Sequence, residues 1–480
     1  MVRTSNPWFR SASSRRRLPI LSEPSNGSGV VAVNSVSVGF VSLGCSKNVV
    51  DAQVMAGFVL DDGLVLAPSP EAADVVIVNT CAFIGDARAE AAEAILQVCA
   101  LKTAGGCRGV VVTGCLAQRY GDRLLQSFPD IDACVGVDAL DRIGAIIRRV
   151  AAGERGIVAV TATPSRLFSP TRPTLSFSGG PFAWLKIAEG CSHACAFCAI
   201  PGIRGTLRSR PMAEVVSEAR ALLGAGAGEL NLIAQDTTAY GRECREPGGL
   251  AALLRTLDVL DGRFWLRVMY GYPSLISDAL LETIATSRHV CRYFDVPLQH
   301  SHPDILRAMR RADTIKPVAT LAARIRNAVP GAVLRTTCLV GFPGENDAHF
   351  EHLLATVTQA RFDHVGVFVY SPEEGTASYR MDAVPPPEVA AERRQRLMLA
   401  QRRIVDEKRR ELVGTHADAL LIRSSRPLRG RPTWEARLER QAPDVDGVTR
   451  VVGVPAHAKP GDWARVALTG GRSYDLYATV

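Results

Sequence analysis

Short β-branched runs, each followed by a segment long enough for a helix, recur through most of this chain, and that alternation restricts the fold more than any other feature. The first group has strand-like runs at 36–43, 75–78 and 110–112, with helical patterns at 49–60 and 87–101 between them. Runs of this kind pair in parallel through right-handed crossovers, and an open sheet built that way holds ligands beyond the carboxyl ends of its strands. A second group, at 183–188, 229–234, 265–270, 293–297, 333–340 and 364–370, has six repeats. It predicts a partial (βα)6 barrel, in which the loops after the strands build the site. The expected fold class is α/β, an open parallel sheet followed by a partial barrel.

The segments around these groups set the expected domain edges. Residues 1–35 carry Arg3, Arg10, Arg15, Arg16 and Arg17 among serines, the composition of a disordered basic tail or of an organelle-targeting segment. The open sheet is assigned to 36–160, a Pro/Ser/Thr-rich linker to 161–181 and the barrel to 182–384. The run Pro385, Pro386, Pro387 ends the barrel, and 385–413 is a charged connecting helix with Leu397, Ala400 and Ile404 on one stripe. Short alternating runs at 419–422, 449–452 and 464–468 make 414–480 a small β-barrel. At 480 residues, 47% hydrophobic and 22% charged, the chain has material for about three cores and is not disordered in general. No apolar stretch nears the ~20 residues of a membrane-spanning helix, so the expectation is a cytoplasmic protein with no membrane partner. Twelve cysteines with no secretory signal before them read as reduced thiols. The net charge of +8 comes largely from the two ends and does not select a partner.

The cysteines carry the chemistry. Cys191, Cys195 and Cys198 stand at C-x3-C-x2-C spacing directly after a predicted strand. Thiolates hold iron–sulfur clusters, and three of them leave one iron open to a substrate or cofactor. A zinc site is the alternative; it wants four closed ligands, and His193, wedged between two of the cysteines, is the only nearby fourth. Cys45, Cys81 and Cys115 each close a strand of the first sheet. Parallel strands bring such ends to one edge, so residues some 35 positions apart can serve as three ligands of a second cluster; each alone reads as an inert buried thiol. Cys99, Cys107, Cys134, Cys244, Cys291 and Cys338 show no convergent arrangement and read as packing residues.

Four segments together resemble the radical S-adenosylmethionine (SAM) methylthiotransferase family. They are Leu43-Gly44-Cys45-Ser46-Lys47-Asn48, Val78-Asn79-Thr80-Cys81-Ala82-Phe83, Gly114-Cys115-Leu116-Ala117-Gln118-Arg119-Tyr120, and the triad with Phe197 before its third cysteine. The resemblance runs from Val36 to the C-terminus and implies an enzyme that adds a methylthio group to an unactivated carbon, with a C-terminal β-barrel called TRAM. The implied cofactors are SAM and two [4Fe-4S] clusters, one on Cys191, Cys195 and Cys198 that chelates SAM and one on Cys45, Cys81 and Cys115 that carries the delivered sulfur, two SAM being consumed per product. An electron donor such as ferredoxin or flavodoxin and a sulfur donor are implied as partners.

Within the family, Gln235-Asp236-Thr237, the segment from Ala442 to Gly447 and the ending Tyr474-Asp475-Leu476 look like the branch that modifies an aspartate of small-subunit ribosomal protein S-twelve. The tRNA adenosine branch, typically Gln-Asn at the first of these, is the alternative, and a noncatalytic iron–sulfur RNA-binding protein is a third reading. Glu229 and the stretch from Arg335 to Glu345 match family segments near SAM, or serve as turn and helix-start residues. Gln235 and Asp236 close the second barrel strand, where a residue faces substrate or caps a helix. Arg423, Arg426, Arg429 and Arg431 form either a contact with ribosomal RNA through TRAM or a solvated loop.

Overall fold

The computed structural model describes residues 35–173, 177–428 and 430–480. The basic tail, Ser35 apart, and Arg429 lie outside the described residues. Among the described residues, no helix is long and apolar enough to cross a membrane.

Two compact units make up the chain, the first consisting of residues up to Gly179 with Glu189–His193 and Cys198–Arg208. It runs β1 (Ser37–Ser42), α1 (Ser46–Asp61), β2 (Val65–Leu66), β3 (Val75–Thr80), α2 (Gly85–Thr103), β4 (Gly109–Gly114), α3 (Cys115–Ser127), β5 (Ala133–Val135), α4 (Ile143–Ala151) and β6 (Ile157–Ala159). The six strands form one sheet in the order β2-β1-β3-β4-β5-β6, with every pair parallel. Strands β3 and β4 are buried at every residue, which is why they read as unbroken apolar runs instead of alternating ones. Helix α2 lays Ala91, Ala92, Ile95 and Val98 into the core beside Val76, Val78, Val110 and Val112. The short strands β2, β5 and β6 were not legible in the sequence because two or three residues carry no periodicity. The segment returning to this unit holds a five-residue helix, α5 (Ile200–Arg204). Short strand pieces β8 (Ala188–Glu189) and β9 (Arg208–Ser209) flank the cysteine-bearing loop.

The second unit opens with β7 (Phe182–Lys186) and continues α6 (Met212–Gly224), β10 (Glu229–Ile233), α7 (Gly249–Asp258), β11 (Trp265–Val268), α8 (Asp278–Thr286), β12 (Tyr293–Asp295), α9 (Pro303–Ala308), α10 (Ile315–Ala328), β13 (Val333–Val340), α11 (Asp347–Ala360) and β14 (His364–Val369). Strands β7, β10 and β11 form one parallel sheet and β12, β13 and β14 another. A single parallel bridge between Leu266 and Val290 leads from one toward the other. This is the partial six-stranded barrel expected. Pro387 opens α12 (Pro387–Leu412), where its missing N–H costs nothing. Ala390, Leu397 and Ile404 of that helix are buried, and Gln401 donates to Phe362 O at 3.0 Å.

The same unit ends in a closed five-stranded barrel: β15 (His416–Leu428), β16 (Arg431–Leu438), β17 (Thr449–Val452), β18 (Trp463–Arg472) and β19 (Asp475–Thr479), ordered β15-β16-β17-β19-β18. Ala419, Leu421, Ala436, Val451, Val466 and Leu476 fill it. The sequence showed only three of these strands, since β16 and β19 carry arginine, aspartate and tyrosine among their apolar residues.

One buried ion cluster joins the two parts of this unit. Glu229, at the start of β10 and wholly buried, meets Arg267 Nε at 2.7 Å and Arg437 Nε of β16 at 3.3 Å. Arg267 also donates to Glu439 O at 2.6 Å and lies over the Tyr293 ring at 4.7 Å. Removing one member of a buried pair strands the other's charge, at about 3–5 kcal/mol. Glu229→Ala, which strands two guanidiniums, is expected to lower the thermal unfolding midpoint by several degrees, and Glu229→Gln by less. An unchanged melt would remove this cluster's structural role.

Candidate functional site

The pairing register decides where the first cysteine set ends up. Ser42 lies opposite Asn79 and Asn79 opposite Thr113, while Thr80 pairs with Gly114. The chain therefore leaves β1, β3 and β4 along one edge, and Cys45, Cys81 and Cys115 follow at once. Gly114 sits at φ +89°, and a Cβ there would stand 2.5 Å from Asn79 Oδ1 and 2.6 Å from Thr80 O. Gly44, at φ +92°, would push a Cβ to 2.8 Å from the Cys81 Cβ. Both positions need glycine so that the strand ends approach.

Asn48 stands at the centre of this edge. Its Nδ2 donates to Leu43 O at 3.0 Å and to Thr80 O at 2.9 Å, and its own carbonyl accepts from Asn79 Nδ2 at 2.6 Å. Its Oδ1 lies 3.8 Å from Cys45 Sγ and 4.0 Å from Cys115 Sγ. Cys45 is the N-cap of α1 and Cys115 the first residue of α3, so both thiols sit at helix N-termini. Burial, reinforced by the neighbouring Cys115 and Cys45, pushes the Cys81 thiol up to about 12, and burial likewise raises Cys115 against the pull of Arg204. Three thiol sulfurs thus follow three adjacent strand ends beside Asn48. That donor set fits an iron–sulfur cluster.

Arg204, at the end of α5, reaches this edge and is fully buried. It donates to Cys115 Sγ through Nε at 3.3 Å and Nη2 at 3.2 Å, and to Asn48 Oδ1 at 3.0 Å. Its Nη1 faces Asp51 at 2.7 Å and Glu189 at 3.2 Å. Burial opposes its charge, but Asp51, Cys115 and Glu189 hold the guanidinium protonated well above its ordinary range.

The second cysteine set lies on the loop between β8 and α5. Cys191 N donates to Gly205 O at 3.1 Å, and Ser192 Oγ accepts from Leu207 N at 3.2 Å. Cys195 Sγ accepts from Arg311 Nη1 at 3.5 Å; that guanidinium lies over the Tyr272 ring at 4.3 Å and bonds Pro297 O at 3.0 Å. Ala196 is held from both sides, donating to Met309 O at 3.0 Å and accepting from Ser378 N at 2.8 Å. Phe197 packs edge-on against Phe342 with 6.5 Å between centroids. Cys191, Cys195 and Cys198 are all partly exposed. Among the described residues, the grouping of donor atoms tight enough for a single ion is His302, Asp304 and His349.

The remaining sequence candidates divide by strand end. Gln235 and Asp236 follow the end of β10, as Cys195 follows its parallel partner β7; the Asp236 carboxylate caps the turn at Thr237, accepting from Thr238 N at 3.0 Å. Glu345 follows the end of β13, takes the Gly341 N–H at 3.0 Å and pairs with Arg393 at 2.8 Å. Glu229 and Arg335 lie at the starts of β10 and β13, the opposite end of the strands. Arg335 pairs there with Asp446 at 2.7 Å and Asp295 at 3.5 Å. In TRAM, Arg423 is paired with Glu435 at 2.9 Å, and Arg426 and Arg431 are exposed. Arg204, Arg311 and the bracing role of Asn48 escaped sequence reasoning. Arg204 and Cys115 are 89 positions apart, and no local sequence pattern links them.

Comparison with known proteins agrees with this layout. The model described as "Uncharacterized protein family UPF0004" matches residues 37–136, the radical SAM superfamily matches 185–357 and the TRAM domain matches 413–480. The radical SAM methyltransferase TsrM from Kitasatospora setae, solved with cobalamin and a [4Fe-4S] cluster, shares the fold at a TM-score of 0.52 and 15% identity, over 71% of this chain and 77% of that one. The chain is a radical SAM enzyme. "Ribosomal protein uS12 methylthiotransferase RimO" of Pelotomaculum thermopropionicum is 42% identical over 92% of this chain and 98% of its own length. The protein of that name from Symbiobacterium thermophilum is 42% identical over 93% and 91%, and that from Geobacter sulfurreducens 40% over 92% and 98%. The chain belongs to the RimO family of methylthiotransferases.

Leaving Leu43 O and Thr80 O without a buried donor costs about 1–3 kcal/mol. Asn48→Ala is expected to lower the urea midpoint of the protein accordingly and to speed alkylation of Cys81 in protein free of iron. Equal alkylation rates in the two proteins would show that Asn48 does not brace this edge.

Proposed function

We propose that this enzyme attaches a methylthio group to the β carbon of an aspartate in small-subunit ribosomal protein S-twelve, the uS12 of its relatives' name. In this reading Cys191, Cys195 and Cys198 hold one [4Fe-4S] cluster and Cys45, Cys81 and Cys115 a second. The observation that carries it is the convergence of three strand ends, and of their cysteines, on Asn48 and Arg204 in a chain that also has the radical SAM triad. When bound, the clusters and two SAM per product supply reductive cleavage of a sulfonium bond and the sulfur that is delivered.

The protein's own part is to position and to exclude water. Gly205 O and Arg311 hold the triad loop at Cys191 and Cys195, and Phe197 against Phe342 closes the loop's apolar side. A reactive carbon radical demands a dry surround of this kind. Gln235, at the mouth end of β10, is assigned to the substrate side, and Glu345 keeps the loop after β13 in place through Gly341 and Arg393. A one-electron donor of the ferredoxin or flavodoxin class and a sulfur donor complete the reaction. The exposed Arg426 and Arg431 of TRAM support a contact with ribosomal RNA beside the substrate, and a ribosomal substrate is consistent with action in the cytoplasm.

Anaerobic incubation of the reconstituted enzyme with SAM, dithionite and purified small ribosomal subunits, followed by peptide mass analysis, tests this. One methylthiolated aspartate peptide of S-twelve is expected. Cys198→Ala is expected to abolish both that product and 5′-deoxyadenosine, whereas Cys81→Ala abolishes the product and still forms 5′-deoxyadenosine. SAM cleavage with S-twelve untouched and tRNA adenosine modified instead would overturn the substrate assignment.

A further inference from the structure

We propose that Arg204 is a positioning residue for the second cysteine set: it clasps the Cys115 sulfur between two N–H groups and thereby raises the reduction potential of the cluster held there. The inference rests on the reading of Cys45, Cys81 and Cys115 as cluster ligands.

The geometry is specific. Nε and Nη2 form one edge of the guanidinium fork, and both point at a single sulfur, at 3.3 and 3.2 Å. A ligand sulfur bonded to iron keeps lone pairs to accept such contacts. Nη2 also reaches Asn48 Oδ1 at 3.0 Å, so the residue that ties the ends of β1 and β3 is held by the same group that holds the ligand after β4. The opposite side of the fork meets Asp51 at 2.7 Å and Glu189 at 3.2 Å. These carboxylates fix the guanidinium plane and offset the cost of burying the cation. With two carboxylates beside it the trio carries no net positive charge. The effect on the cluster is therefore the local, directional one of N–H groups aimed at sulfur, which favours the more negative, reduced state.

A purely structural role would have Arg204 only close its ion pair with Asp51 in the core. That role puts no N–H on a sulfur and needs none of the fork's second edge. Lysine separates the two roles, since it keeps the charge but lacks the planar pair of donors.

The test uses full-length protein carrying Cys191→Ala, Cys195→Ala and Cys198→Ala, so that the remaining cluster is the one read out. After reconstitution its midpoint potential is followed by redox titration with electron paramagnetic resonance detection, alongside iron content. Arg204→Lys is expected to shift the midpoint to more negative potential with iron content retained. The double variant Arg204→Leu/Asp51→Asn, which removes the charge pair together, is expected to shift it further. A midpoint unmoved in both variants overturns the role of Arg204 while leaving the ligand assignment intact. Failure of the triad-free protein with native Arg204 to take up any cluster overturns the ligand assignment and this inference with it.

Discussion

Parallel pairing of β1, β3 and β4 in one register is the constraint on which the rest of the first unit depends. The hydrogen-bonded ladder sets Ser42, Asn79 and Thr113 level with one another across three strands, so whatever follows each strand emerges along the same edge. A one-residue slip would turn every strand side chain to the other face, and the wholly buried β3 and β4 hold the register against that. Glycine at 44 and 114 lets the chain turn there at a spacing that any side chain would obstruct. The site is thus a consequence of backbone geometry before any cysteine chemistry enters.

Buried arginine recurs as the device that completes each part. Arg204 is enclosed by Asp51, Glu189 and a cysteine sulfur, and Arg267 by Glu229 and the Tyr293 ring. A guanidinium suits these places because it stays charged under burial and offers five donors in a fixed plane, so one group satisfies several buried acceptors at once. In the second unit this chemistry fastens the start of the barrel strands to β16. In the first it serves the cysteine edge, which is why two similar ion clusters carry different assignments.

Much of this was legible beforehand. The unbroken apolar runs 75–78 and 110–112 became β3 and β4, and the six later runs became β7 and β10 to β14. Cys45, Cys81 and Cys115 were found by their shared place after strands, and the structure does bring their strand ends together. Short strands such as β5 and β6 stayed hidden, as did β16 and β19, because their pairing is decided by neighbours and not by their own residues. Glu229 and Arg335 match family segments near SAM in the sequence, and in the fold they lie in the first half of their strands, engaged by Arg267, Arg437, Asp446 and Asp295.

The sequence by itself determined the alternation of elements and the cysteines available to each site, since both are local properties of residue type and spacing. Only the tertiary structure decided which groups stand around the sulfurs. Arg204 is separated from Cys115 by 89 positions and from Asn48 by 156, and Arg311 from Cys195 by 116. Contacts of that range follow from how strands and helices pack, and no local pattern records them.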